Sequence, residues 1–91
     1  MNENNNGLFP LCSLDFGKSA VIVSIPRGSV LSRKMTAFGL IPGIKITPLF
    51  SSPFRDPKAY EFSDTIVALR NDDASSVIVT TDFERGDHSE I

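Results

Sequence analysis

Short β-branched runs fill most of the chain, and one segment has the helical period. Leu31, Met35 and Phe38 recur at i, i+4 and i+7, which lines them on one face and leaves Arg33 and Lys34 on its flank. That face is expected to be core. Ser29 stands where its hydroxyl can cap the first turn, and Gly39 stands where a left-handed residue ends a helix. Leu40 then falls back toward Met35 in a Schellman closure, and Pro42–Gly43 makes a type II turn into a strand. Around this helix, "SAVIVSI" reads as a strand ending at Pro26, and "IKITPLF" as a second strand in which Pro48 marks an edge or a bulge. "FPLCSLDFGKS" offers a helical turn at Leu11 to Leu14, then a turn at Asp15 to Lys18. "SSPFRDP" is a loop. "KAYEF" and "TIVALR" form a hairpin around "SD", with Asp64 where glycine is often required. "NDDASS" is expected to make a helical turn capped by Asn71, with Asp72 and Asp73 near its positive end, before "VIVTT" closes the domain. The fold class is therefore mainly β: a small five-stranded barrel with one main α-helix and short helical turns.

Composition narrows the functional classes. The 91 residues suit one domain with a modest core. "MNENNNG" and "ERGDHSEI" carry little to bury, so flexible tails are expected at 1–7 and 83–91 around a domain at 8–82. A net charge of −2 gives no general case for nucleic acid. The single cysteine, Cys12, cannot form an internal disulfide, and no apolar run follows a basic start, so a cytoplasmic protein is expected. No run approaches the roughly 20 apolar residues that cross a bilayer, so membrane association is expected only through a partner, with no direct insertion.

Candidate chemistry is sparse. Cys12, between Leu11 and Leu14, reads as a small buried hydrophobe rather than a reactive or metal-binding thiol. His88 lies between Asp87 and Glu90 without a second soft ligand at metal spacing. Asp72 and Asp73 are explained by the helix dipole. The glycines stand in separate turns and make no phosphate-binding loop, and no serine or cysteine has a triad around it. The residues thus point to no enzyme, no cofactor and no resident metal, and stoichiometric Fe(II) binding by the isolated domain is not expected.

The order of the elements, however, is similar to a known family. "LFPLCSLDFGKSAVIVSIPRGSVLSRKMTAFGLIPGIKITPLFSSPFRDP" followed by "TIVALRNDDASSVIV" resembles the FeoA family, small SH3-like proteins of bacterial ferrous iron transport. The most specific part is "LSRKMTAFGLIPG", with its basic helix, Gly-Leu and Pro-Gly. The resemblance implies a cytoplasmic, non-enzymatic accessory that acts by contact with FeoB, the membrane GTPase that carries Fe(II). It leaves homo-oligomer formation open. For that contact the chain offers a basic ridge, Arg33 and Lys34, beside Leu40 and Ile41 taken as exposed, and a loop presenting Phe54 and Arg55. Two other readings stand beside it. One is an SH3-like interaction domain related to those of iron-dependent repressors. The other is a small nucleic-acid-binding barrel using Tyr60 and Phe62 on one strand face, which the acidic balance opposes.

Overall fold

In the computed structural model, which describes residues 7–81, the β-branched runs pair into one curled sheet of six antiparallel strands. These are β1 (Leu8–Pro10), β2 (Ala20–Ser24), β3 (Lys45–Ser51), β4 (Lys58–Phe62), β5 (Thr65–Leu69) and β6 (Ile78–Thr80). Their spatial order is β1-β6-β2-β3-β4-β5. A helix, α1 (Val30–Phe38), follows β2, and a single turn, α2 (Asn71–Ala74), connects β5 to β6. The expected tails lie almost wholly outside the described residues.

The sheet has one strand more than expected. β1 is three residues long and ends in proline, too short to show a period; it becomes a strand only through β6, where Leu8 faces Thr80 and Pro10 faces Ile78. Directly after it the chain makes a 3-10 turn at Leu11–Ser13, tied down by the Leu11 N–H donating to the Val77 carbonyl at 2.8 Å. Pro48 proves to be at a bulge and not at an edge. β3 lies between β2 and β4, and its register with β4 runs Thr47–Glu61, Pro48–Tyr60 and then Phe50–Ala59, so Leu49 is the extra residue. A bulge absorbs the ladder bond that proline cannot donate, and it bends the strand. β3 thereby belongs to both halves of the barrel.

Helix α1 is built as its end signals require. The Ser29 hydroxyl accepts from the Ser32 N–H at 3.0 Å, and Gly39 has φ of 92°. The Gly39 N–H then donates to the Thr36 carbonyl at 2.9 Å and the Leu40 N–H to the Met35 carbonyl at 2.8 Å, the paired bonds of a Schellman motif. Two expectations change here. Leu40, taken as an exposed contact residue, is fully buried, because the closure folds it back over the core beside Met35. Phe38, taken as core, is 45% exposed: with Leu40 filling that end, the last turn of the helix is left at the rim. Met35 is fully buried and Leu31 packs against the core from its margin.

The β4–β5 hairpin pairs without interruption from Lys58–Leu69 to Phe62–Thr65. Both loop residues, Ser63 at φ 47° and Asp64 at φ 66°, are left-handed, as a two-residue turn of the primed type demands. Asn71 is the first residue of α2 rather than its cap, and the flanking Arg70 makes no side-chain cap. The acceptor comes from elsewhere in the chain: the Asn71 N–H donates to Asp56 Oδ1 at 2.8 Å. The core between sheet, helix and turns gathers Leu11, Ile22, Ile46, Tyr60, Leu69 and Val79, all essentially without solvent contact.

Candidate functional site

Two exposed surfaces combine apolar and basic side chains. The first is the outer face of α1 and the turn after it. Arg33 and Lys34 are exposed there and make no ion pair among the described residues; α1 itself has no acidic residue. Around them stand Val30, 72% exposed, and the half-exposed Phe38 and Ile41. Of the residues expected on this ridge, Arg33, Lys34 and Ile41 are at the surface and Leu40 is not.

The second surface is carried by the loop between β3 and β4. Its backbone is closely tied: Ser52 N–H donates to the Pro57 carbonyl at 3.1 Å, Arg55 N–H to the Ser52 carbonyl at 2.8 Å, and the Ser52 hydroxyl to the Asp56 carbonyl at 2.9 Å. From α2, Asn71 Nδ2 donates to the Arg55 carbonyl at 3.0 Å. On this frame Phe54 is 86% exposed and Arg55, itself at φ 69°, is exposed beside it. Both are where the sequence placed them. The loop is joined by residues that the sequence reading did not single out. Phe16 comes from a turn pinned to β3 by the Gly17 N–H, which donates to the Pro48 carbonyl at 2.8 Å. Lys58 reaches over it, with Nζ 5.7 Å from the ring centroid while donating to the Cys12 carbonyl at 2.8 Å. Phe16, Ser51, Arg55 and Lys58 line a shallow cavity of about 350 Å³. Phe50 is exposed as well, because the bulge at Leu49 turns it outward. Phe16 had a readable signal, since an aromatic between Asp15 and Gly17 sits in a turn. Phe50 had none.

Other candidates fall away from any site. Cys12 is half-buried against the core. Among the described residues no three His, Cys, Asp or Glu side chains gather where they could hold a metal ion, and His88 lies outside those residues. Tyr60 and Phe62 are inside the barrel, so the stacking face of the nucleic-acid reading is absent from that strand. Burial, assisted by the nearby Cys12 and then Asp56, pushes the Tyr60 hydroxyl up to about 12. No helix among the described residues is long and apolar enough to cross a membrane.

Comparison with known proteins gives a consistent picture. A Fe(2+) transport protein A/Fe(2+) transporter FeoB fusion protein from Porphyromonas gingivalis (strain ATCC BAA-308 / W83) is 35% identical over 69 residues, 76% of this chain. The chain spans only 8% of that relative's length. A crystal structure of an iron uptake regulatory protein (FeoA) superposes with a TM-score of 0.71 at 27% identity, covering 80% of this chain and 96% of the other. The zinc complex of FeoA from Stenotrophomonas maltophilia, described as a procaryotic SH3 domain protein, gives a TM-score of 0.68 at 24% identity over 78% of this chain and 88% of its own. The small barrel is thus SH3-like, and with the FeoA domain profile matching residues 9–81, the chain belongs to the FeoA family.

Proposed function

We propose that this domain serves ferrous iron uptake as a non-enzymatic accessory, by binding a FeoB-like membrane transporter from the cytoplasmic side. The observation that carries this reading is the natural joining of a homologous segment to an FeoB transporter in one polypeptide, since two activities fused in one chain act on a common task. The geometry supports it in kind. The described residues offer exposed apolar and basic surfaces on a tied frame, which suits recognition of an acidic and apolar patch with little ordering cost. Arg33, Lys34 and Ile41 form one contact surface and Phe54 with Arg55 the other. Leu40 takes no part, being core.

The test is affinity for a purified FeoB-like transporter in detergent. Arg33→Glu with Lys34→Glu, and separately Phe54→Ala, are expected to leave the fold intact and to weaken binding about tenfold each, by like-charge repulsion and by loss of an aromatic anchor. Gly39→Val is the control for structural loss, because its backbone is left-handed and a β-branched residue resists that conformation. No measurable binding by the parent chain would remove the proposed role. Parent-like affinity in both folded variants would move the contact away from these surfaces.

A further inference from the structure

The two edges of the sheet are managed differently. β1 is three residues long and ends in Pro10, the kind of edge that natural sheets use to discourage further pairing. β5 has none of these devices. Its sequence, Thr-Ile-Val-Ala-Leu, contains no charge and no proline, and its five pairs with β4 run without a bulge. Among the described residues no strand is paired to its outer side. Ile66 on that strand is 59% exposed and Ala68 is exposed too.

The hairpin fixes which backbone groups face outward. With Ser63 and Asp64 as the loop, Phe62 and Thr65 form the first bonded pair, so Thr65, Val67 and Leu69 bond inward to β4. Ile66 and Ala68 therefore direct their N–H and C=O groups to the open side. A second strand laid there must bond to those two residues.

We infer that β5 pairs antiparallel with β5 of a second copy of this chain, about a two-fold axis at Val67. In that register Ile66 of each copy meets Ala68 of the other, so both outward residues exchange their bonds, and their exposed side chains meet on one face. The ends of the strand select it over its neighbours. Asp64 closes the hairpin loop just before β5 and Arg70 follows the strand in extended conformation, so the Val67 axis brings the Asp64 end of each copy beside the Arg70 end of the other, twice. An axis at Ile66 sets the Asp64 end against Ala68, and an axis at Ala68 carries it past Arg70 toward α2 of the second copy, whose first turn is acidic. Only the central register is charge-complementary. Arg70 is free to join it, since its contact with Asp56 is a 3.8 Å pair with the arginine side chain 71% exposed. A five-residue strand pair is well below the ~1,200 Å² of a stable complex, so the association is weak and concentration-dependent. It requires no transporter.

Sedimentation and amide NMR over roughly 10 μM to 1 mM, a span suited to weak complexes, test this directly. The mean mass is expected to climb toward that of a dimer, with dilution shifts concentrated at Ile66 to Ala68. Arg70→Asp alone and Asp64→Lys alone each place like charges at both ends and should weaken association about tenfold. An equimolar mixture of the two restores both pairs and should recover the parent affinity. A mass independent of concentration overturns the inference, as do dilution shifts centred on another surface or a mixture no tighter than its components. The dilution series on the parent chain decides the matter even if Asp64→Lys does not fold.

Discussion

Tyr60 is the single tyrosine of the chain; its ring is wholly buried, and its hydroxyl meets no hydrogen-bond partner among the described residues. A buried hydroxyl left unpaired is a cost that the ring's burial has to outweigh, so Tyr60→Phe is expected to be neutral or to stabilise by about 1 kcal/mol. The same residue sets an alkaline limit. Its folded value near 12 stands above the ordinary 10, so the folded state holds a proton that the unfolded state gives up. Stability is then unaffected by this group below pH 10 and declines as pH rises from about 10 to about 12, by on the order of 2–3 kcal/mol in all. Tyrosinate absorbance follows the group without ambiguity, and unfolding measured across that range should lose the Tyr60-dependent decline in Tyr60→Phe. An identical alkaline decline in the variant would place its cause in other groups.

At the scale of elements, α2 depends on a side chain from another part of the chain. Its first N–H is satisfied by Asp56, fifteen positions earlier, while the same loop is held back to α2 through Asn71 Nδ2. Asp56→Ala is therefore expected to cost about 1–2 kcal/mol in a urea titration, as loss of a capping acceptor does, whereas Arg70→Ala should change stability by less than about 0.5 kcal/mol. Equal effects would mean that the ion pair, not the cap, is what Asp56 contributes. An acceptor supplied from so far along the chain has no local signature in the sequence. The helix from Ser29 to Gly39 was legible because its cap, stripe and stop are all local, and so was the hairpin around Ser63 and Asp64. Asn71 looked like the cap because Asn before two aspartates is the local pattern; the true acceptor arrives through tertiary placement, which no window of sequence contains. Leu40 was legible too, since the Schellman closure already implied its burial, and that local rule outranks its position beside a basic ridge. Of the contact surfaces, Arg33, Lys34, Ile41, Phe54 and Arg55 were readable as exposed. Phe50 was not, because one inserted residue at Leu49 reverses the faces of the strand beyond it.

For the whole molecule, the outer strands decide how the chain is held. Leu8 is paired with Thr80, so the described chain enters and leaves at neighbouring points, about 5 Å apart as antiparallel partners are. The same pairing has a mechanical meaning. Tension applied through both ends pulls Leu8 and Thr80 apart at the open end of a ladder, so its bonds are loaded one after another and the strands unzip. Tension applied at Leu8 and Ile78, at opposite ends of the paired strands, loads the bonds together in shear. Single-molecule pulling should find the first geometry yielding at the lower force, and equal forces would show that the β1–β6 ladder does not bear the load. Joined to a partner that changes shape, such a domain can be peeled open from its tether at small mechanical cost and can close again when the tension is released.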